Sequence, residues 1–307
     1  MNIHPVFVGI DVSKARLDIF DGQPSSCANT PEAVAPLADR WAEQDALVVF
    51  EATGSYDARL RRELDRAGVR YTRVNPGRAR DFARAAGYLA KTDGVDARML
   101  ADMGRALGPR PTEPLDPGRE RLAALHKRRD QLVHARQQER TRLGGVDVPE
   151  VADDLREHLA WLDAAIAGLD RRIQEVIKAH HTLARAGKLL RSIPGVGPVA
   201  AATLLALVPE LGACSGKAVA ALAGLAPINR DSGLHRGRRT IGGGRKRVRD
   251  ALYMAALSAT RSHSRFAERY QHLLRQGKPP KLAIIALARQ LLVTANAVLR
   301  DGRAFQP

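Results

Sequence analysis

The feature that most constrains the fold is a series of short apolar segments near the N-terminus, separated by helical patterns. The stretch VFVGIDVSKARLDIFDG joins a β-branched run, a polar turn and an alternating run that ends at Asp21-Gly22, which predicts a hairpin of two strands. The segment ALVVFEATGSY predicts a buried strand ending at Glu51, and VRYTRV predicts another. Helical patterns near 31–43 and 56–67 separate these strands. The N-terminal part therefore predicts an α/β layer built on a sheet.

The chain carries a large excess of positive charge. Its 307 residues include 49 Lys and Arg against 33 Asp and Glu, which gives a formal net charge of +16. A polyanion such as nucleic acid is the natural partner of such a chain. Aromatic residues make up only 4% of the sequence, which argues against base stacking as the main mode of binding. Cys27 and Cys214 form no CxxC pair, so neither a disulfide framework nor a zinc site is expected.

The apolar segments and the N-terminus indicate the compartment. No apolar run approaches the roughly 20 residues of a membrane-spanning helix. The N-terminus lacks the pattern of a signal peptide. We therefore expect a cytoplasmic protein without a membrane partner.

Two long helical segments follow a proline-rich stretch from Pro109 to Pro117. Between Leu155 and Val176 the apolar residues alternate at spacings of four and three, which is a heptad seam. The preceding segment, 119–143, is predicted to be helical, but it has Arg129 and Arg136 at positions where a second heptad seam would have apolar residues. A glycine-rich turn between the segments predicts an antiparallel hairpin, either a simple arm of a bundle or a dimerisation coiled coil. We expect domains at 1–112, 113–187 and 188–307, the last one mostly helical.

Four acidic residues are candidates for one site. Asp11 and Glu51 each end an apolar strand, and Asp93 and Asp96 are three residues apart, hence on one side of a predicted helix. Strand ends are where open α/β sheets bind ligands. Carboxylates gathered there raise one another's pKa or require a cation, and Mg²⁺ accepts carboxylate oxygens while keeping water and phosphate ligands. Two such ions would clamp a phosphodiester. The alternative is that Asp93 is an N-terminal helix residue stabilised by the helix dipole and that Asp96 is a solvated neighbour.

The second half contains two candidate nucleic-acid contacts. SIPGVGP places Gly195 and Gly197 in a tight turn before an alanine-rich helix, which is typical of a helix-hairpin-helix element or of an ordinary turn between packed helices. From Asn229 to Asp250 there are eight Lys or Arg among several glycines, and phosphate is expected to bind such a loop in a salt-dependent way. The predicted nucleic-acid contacts are Lys91, Arg98, Gly195, Gly197, Arg230, Arg236, Arg238, Arg239, Arg245, Lys246, Arg247 and Arg249.

Ser232 lies in this basic loop, between Asp231 and Gly233. A serine near guanidinium groups can attack a phosphodiester, because those groups stabilise the charge that develops on the phosphoryl oxygens. Asp-Ser-Gly is also ordinary turn chemistry, and the residues alone favour a turn. His235 is a candidate base or a further phosphate contact.

The combined motifs resemble those of a known family. VGIDVSKARLDI, FEATGSY, NPGRARDFARAAGYLAKTDGVDARMLA, SIPGVGP and LAGLAPINRDSG, followed by a basic stretch and ALYM, are similar to the DEDD transposases of bacterial insertion sequences, of the insertion-sequence-110 type. The motifs occur in order over nearly the whole chain. The resemblance implies an N-terminal RuvC-like domain of the ribonuclease-H type, a coiled-coil arm and a C-terminal transposase domain.

The resemblance also implies roles for individual residues and partners. It assigns the metal-binding acidic set to Asp11, Glu51, Asp93 and Asp96, with Mg²⁺ as cofactor, and the nucleophile to Ser232. Similar proteins form a phosphoserine link to DNA and use a structured, element-encoded guide RNA to choose donor and target DNA. They assemble as dimers that pair into tetramers, with active sites shared between subunits. A bacterial protein associated with the nucleoid is implied.

Three other functions stay open on the residues alone. A metal-dependent nuclease or junction resolvase would use water as the nucleophile and leave Ser232 incidental. A non-enzymatic DNA or RNA binder would use the acidic residues structurally. An actin-like ATPase also opens with a strand, GID and a hairpin, but the turn after Asp11 lacks the glycines that let backbone amides reach phosphate.

Overall fold

The structure is a computed structural model that describes residues 6–52, 54, 56–88, 93–114, 116–227, 231–232, 235–236 and 240–306. Residues 93, 94, 231, 232, 235 and 236 are described by their backbone alone. The chain divides into two compact units, Met1–Pro114 and Leu115–Pro307. The first is a mixed α/β unit and the second is mostly helical, which confirms the α/β layer and the helical remainder expected from the sequence.

The first unit is built on a five-stranded sheet. Its strand order is β3-β2-β1-β4-β5. The first three strands pair antiparallel, whereas β4 runs parallel to β1 and β5 runs parallel to β4. The strands are β1 (Phe7–Val12), β2 (Arg16–Phe20), β3 (Pro24–Ala28), β4 (Leu47–Glu51) and β5 (Arg70–Val74).

Helices cover both faces of this sheet. They are α1 (Pro31–Glu43), α2 (Ala58–Ala67), α3 (Pro76–Ala85) and α4 (Asp93–Leu107). Trp41 of α1 and Leu60 of α2 pack with Ile10 on one face. Met99 and Met103 of α4 pack on the other face. Because successive side chains of a strand point to opposite faces, β1 supplies both cores.

The second unit contains eight further helices in the part of the chain that the structure describes. They are α5 (Pro117–Leu143), α6 (Pro149–Ala179), α7 (His181–Arg191), α8 (Pro198–Leu207), α9 (Gly216–Leu222), α10 (Lys246–Ala259), α11 (Arg265–Arg275) and α12 (Pro280–Asp301). Two short strands, β6 (Asp231–Ser232) and β7 (His235–Arg236), pair antiparallel between α9 and α10.

Helices α5 and α6 form an antiparallel hairpin. Leu162, Ile166 and Leu169 of the heptad seam pack against Leu132 of α5, within the same chain. The two arginines that interrupt the second seam bond to aspartates of α6: Nε of Arg129 lies 2.5 Å from Asp170, and Nη1 of Arg136 lies 2.5 Å from Asp163. Ion pairing across the seam therefore replaces apolar contact at these positions.

Helix α12 corrects one expectation. Over 22 residues it is long and apolar enough to cross a membrane by length and composition, whereas we expected no such run. One side of the helix, including Leu287, Leu291 and Leu292, is fully buried in the core of the second unit, whereas Leu282 and Val293 are exposed. In the described structure α12 is a core helix.

Candidate active site

The first two acidic residues lie at the ends of adjacent parallel strands. Ile10 of β1 pairs with Phe50 of β4, and Asp11 and Glu51 each follow by one residue. Both carboxylates therefore point to the face opposite Ile10, and both side chains are half-buried. Strand register thus brings Asp11 and Glu51 side by side at the carboxyl end of the parallel pair.

Two glycines seat helix α4 on that same face. A Cβ on Gly9 would lie 1.9 Å from the carbonyl oxygen of Ala97, so the α4 backbone rests directly on β1. A Cβ on Gly104 would lie 2.9 Å from Cδ1 of Phe7. Residues late in α4 lie against residues early in β1, so the helix runs antiparallel to the strand.

The direction of α4 carries its first turn toward Asp11. Asp93 begins the helix and Asp96 follows three residues later. Asp96 is half-buried. The fold thus brings the strand ends with Asp11 and Glu51 and the first turn of α4 to one region of one face, although the four residues are far apart in sequence.

Carboxylate oxygens at this edge have the donor chemistry that Mg²⁺ prefers. Among the side chains that the structure describes, no three Asp, Glu, His or Cys residues form a metal-binding group. The Asp93 side chain lies outside the description, as does Lys91. Arg98 is exposed, with its guanidinium carbon 5.7 Å from the centre of the Phe20 ring.

Sequence reasoning missed a further acidic residue on the face that bears Asp11 and Glu51. Asp18 of β2 pairs directly with Asp11 of β1, so both side chains point the same way. Asp18 is buried and forms an ion pair with Arg16. The hairpin pattern in the sequence contained this signal, because it fixes which residues of the two strands face each other.

The segment after Glu51 is braced by buried polar groups. Asp57 is fully buried, and Nε of Arg73 lies 2.5 Å from its Oδ2. The Asn29 side chain is buried as well, and its Nδ2 donates to the carbonyl oxygens of Ser13, at 2.8 Å, and Tyr56, at 3.0 Å. These bonds fix the turn after β1 relative to the segment after β4, next to the acidic residues.

The serine lies on a short hairpin in the second unit. Ser232 of β6 pairs with His235 of β7, and Asp231 pairs with Arg236. Their side chains, together with Arg230, Arg238 and Arg239, lie outside the described structure. The register makes His235 the cross-strand neighbour of Ser232.

Four predicted nucleic-acid contacts after this hairpin have internal partners. Arg245 bonds both oxygens of Glu210 at 2.6 Å, and Arg247 donates to Asp130 at 2.7 Å. Lys246 bonds Asp250 at 2.7 Å, and Arg249 donates to the carbonyl oxygen of Gly243 at 2.8 Å. Burial raises the pKa of the Glu210 carboxyl, but the bonds from Arg245, a backbone hydrogen bond and the charges of Arg245 and Arg119 together leave that pKa lowered. Arg245 and Arg249 therefore hold the end of the basic loop to the helical unit, whereas the Lys246 pair lies within α10.

The two glycines of SIPGVGP differ in role. Gly195 has φ +85°, and a Cβ there would lie 2.4 Å from the carbonyl oxygen of Ala255 on α10. Packing and backbone conformation therefore require glycine at 195. Gly197 is exposed, caps the start of α8 without a side-chain hydrogen bond, and has open space around its Cα.

A buried histidine lies beside this turn and was not predicted. Nε2 of His126 lies 2.8 Å from Oγ1 of Thr203, and Nδ1 lies 3.4 Å from Asp130. Burial lowers the pKa of His126, and Arg129 and Arg247 lower it further, against the opposing effect of Asp130. Helix α5 contains two histidines, His126 and His134, and the sequence offers no signal that His126 is part of this network.

Two family models match the chain. One, described as "Transposase" and built for DEDD transposases of IS110 type, matches residues 8–146. The other, described as "Transposase IS116/IS110/IS902 family", matches residues 187–271. The first match includes all four acidic residues, and the second includes Gly195 and Ser232.

Related proteins agree with these matches. The "Pilin gene-inverting protein" of Moraxella lacunata is 30% identical over 317 aligned positions, which cover 97% of this chain and 97% of that protein. The "Insertion element IS116 uncharacterized 44.8 kDa protein" of Streptomyces clavuligerus is 34% identical over 160 positions, which cover 50% of this chain and 38% of that protein. The chain belongs to the IS110 family of DEDD transposases.

Proposed function

We propose that this transposase cuts and rejoins DNA strands by a Mg²⁺-dependent reaction in which Ser232 becomes transiently linked to DNA. The observation that carries the proposal is the seating of α4 on Gly9, which directs the turn bearing Asp93 and Asp96 to the strand ends bearing Asp11 and Glu51. Such convergence of acidic residues is expected of a site that acts on a phosphodiester with metal ions.

The metal would be held by Asp11, Glu51, Asp93 and Asp96. When bound, Mg²⁺ neutralises the charge on the phosphoryl oxygens of the scissile diester. The protein's own part is to hold the carboxylates in place, through the β1–β4 register and through the Asn29 and Arg73 bonds that brace the adjoining segments.

Ser232 would supply the attacking hydroxyl. Its Oγ forms the new bond to phosphorus, the bond from phosphorus to one deoxyribose oxygen breaks, and the departing oxygen takes up a proton. His235, the cross-strand neighbour, is the candidate that accepts the serine proton. Rejoining reverses these steps on a second strand, so the bond energy is retained and no free ends accumulate.

The strand order supports a RuvC-like, ribonuclease-H-type fold for the first unit. Three antiparallel strands followed by two parallel ones, in the order β3-β2-β1-β4-β5, place the acidic strand ends at the centre of the sheet. We assign the α5–α6 hairpin to a coiled-coil arm, because a heptad seam fills its interior. Residues 113–187 would form this arm and 188–307 the transposase domain.

The partners of the reaction follow from the same proposal. Donor and target DNA would be the substrates, in the bacterial cytoplasm at the nucleoid, and inversion of a DNA segment is one outcome, as the name of the Moraxella relative suggests. The net charge of +16 supports a second polyanion, a structured guide RNA. Dimers that pair into tetramers would complete each site with residues of two subunits.

A recombination assay with metal and carboxylate variants tests the catalytic proposal. A plasmid carrying the element's ends is incubated with protein and guide RNA, and rearranged junctions are counted by sequencing. Asp11→Asn, Glu51→Gln, Asp93→Asn and Asp96→Asn should each lower the junction yield by about 100-fold or more, and so should removal of Mg²⁺. Glu43→Gln and Asp81→Asn, at exposed carboxylates of the same unit, serve as matched controls. Equal yields in both sets would refute the metal site.

A nuclease that uses water as its nucleophile is the alternative that must be distinguished from the proposed recombinase. Ser232→Ala should abolish both junctions and covalent protein–DNA complexes while DNA binding persists. A nuclease would instead release free ends with or without Ser232, and its cleavage would continue in the Ser232→Ala variant.

A further inference from the structure

A positively charged cleft opens between α6, α7 and α8, apart from every residue assigned above. It has a volume of about 610 Å³. Among the described residues that line it, four are cations and none is Asp or Glu. The cations are Lys178 of α6 and Arg185, Lys188 and Arg191 of α7.

The charge of these four cations is available to a ligand. All four side chains are exposed, and none forms an ion pair within the part of the chain that the structure describes. The cations predicted from the basic loop differ in this respect, because Arg245, Lys246 and Arg247 are paired with carboxylates of the same unit. An anion at the cleft would displace only water and counterions.

The spacing of the cations suits an extended anion. Arg185, Lys188 and Arg191 recur every three residues, so they follow one side of α7 over about 9 Å. Lys178 adds a charge from the neighbouring helix. A duplex carries one phosphate charge per about 1.7 Å of its axis, so a stripe of this length faces several phosphates. The apolar floor, which includes Ile177 and Ala201, suits contact with sugars.

The start of α8 strengthens the same site. Pro198, the first residue of α8, lines the cleft, and Gly197 before it leaves the first turn without a side-chain cap. The backbone amides and dipole of a helix N-terminus attract phosphate. Arg191 and Ser192 also border a smaller cavity around the Ser192–Gly197 turn. The turn therefore lies at the edge of a continuous electropositive surface.

We propose that this cleft, defined by Lys178, Arg185, Lys188 and Arg191, binds the phosphodiester backbone of a nucleic-acid duplex independently of sequence. The inference rests on the proposed function, because a strand-exchanging enzyme must hold DNA outside the reacting phosphate. Duplex DNA and a helical part of a guide RNA present the same phosphate chemistry, and the experiment separates them.

Salt-dependent binding of the full chain tests the inference. Fluorescence anisotropy with a 30-base-pair DNA of unrelated sequence, and separately with an RNA duplex, is measured between about 50 and 300 mM salt. The variant K178Q/R185Q/K188Q/R191Q should lower the slope of log K against log salt for the bound duplex by about 3 to 4, since each phosphate contact contributes about 0.9. The DNA and RNA arms show which duplex loses the contacts.

A matched control separates the cleft from net charge. K217Q/R269Q/R275Q/K281Q removes two lysines and two arginines that are exposed elsewhere in the unit, and its slope should change by less than about 1. K178Q/K188Q and R185Q/R191Q should each show about half of the change in slope that the fourfold variant shows. These double variants keep the test valid if the fourfold variant unfolds. The charge-preserving K178R/R185K/K188R/R191K should bind as the unsubstituted protein does.

Equal slopes in the cleft and control variants, with both duplexes, would overturn the inference. The assay contains no strand chemistry, so its outcome is independent of whether Ser232 forms an adduct. Recombination that persists alongside equal slopes would refute the cleft alone.

Discussion

Gly9 of β1 and Ala97 of α4 approach so closely that a Cβ on Gly9 would lie 1.9 Å from the Ala97 carbonyl oxygen and 2.5 Å from the Ala101 nitrogen. Backbone atoms cannot move aside as a flexible side chain can. The helix that bears Asp93 and Asp96 is therefore held at a height over the sheet that only glycine allows.

Gly9→Ala should push α4 off the sheet and lower the free energy of unfolding by about 3 kcal/mol. Gly104→Ala should cost less, about 1 to 2 kcal/mol, because its Cβ would meet the side chains of Val49 and Phe7 at 2.8 and 2.9 Å. Urea unfolding of both variants measures the two losses. Equal losses, or none at Gly9, would show that α4 does not depend on this contact.

Asn29 should tolerate substitution only if the new side chain donates hydrogen bonds. Its Nδ2 donates to two carbonyl oxygens, those of Ser13 and Tyr56. Asn29→Ala should cost about 1 to 3 kcal/mol of stability, and Asn29→Asp should cost more because a carboxylate repels those oxygens. Asn75→Asp is the control, since Asn75 accepts a bond from the Gly77 amide at the start of α3 and an Asp accepts it equally well. Thermal unfolding should rank Asn29→Asp far below Asn75→Asp.

His126 should make the second unit less stable in mild acid. Its pKa in the folded protein lies below the ordinary value of 6.5, so the unfolded chain binds the proton more tightly. Stability from this group is complete above pH 6.5 and is lost as the pH falls through 6.5 toward the folded-state pKa. Between pH 7.5 and 5.5 the protein should lose about 1 kcal/mol more than His126→Gln does. Urea unfolding at the two pH values tests this, and an identical loss in both proteins would exclude His126 as the cause.

Trp161 should contribute to assembly of the proposed dimer. It lies on α6 and is 56% exposed. An exposed tryptophan on an arm is a frequent centre of binding energy in interfaces. Trp161→Ser should raise the dimer dissociation constant by about tenfold or more, measured by analytical ultracentrifugation. Met254→Gln, at an exposed methionine of α10, should leave assembly unchanged. An unaltered dimer in Trp161→Ser would place the interface elsewhere.

Sequence patterns predicted the elements that carry a clear apolar run or an apolar seam. The β1–β2 hairpin, strand β4 and the α6 seam follow directly from apolar spacing. Strand β3 was missed, because its sequence PSSCA is polar and lies mostly exposed at the edge of the sheet. The length of α12 was underestimated as an apolar run, because its few polar residues interrupt the run without ending the helix.

Only part of the candidate site could be predicted from the sequence. Asp11 and Glu51 could be placed together, since strand ends share an edge in a parallel sheet. A glycine inside a strand, as in VFVGID, is typical of a close backbone approach, but it was not used in predicting the fold, and it does not identify α4 as the element that approaches. The internal pairing of Arg245 with Glu210 spans 35 residues. Composition therefore revealed the net positive charge of the chain, but not which Lys and Arg side chains are available to a ligand.

Mass spectrometry of the DNA-linked peptide tests the central claim most directly. Protein, guide RNA and DNA react with Mg²⁺ and are quenched with denaturant, then digested with protease and nuclease. The account predicts a nucleotide remnant on Ser232, and its absence both in Asp11→Asn and without Mg²⁺. A remnant on another residue, or one on Ser232 at equal yield in Asp11→Asn, would contradict a single reaction that unites the acidic residues with the serine.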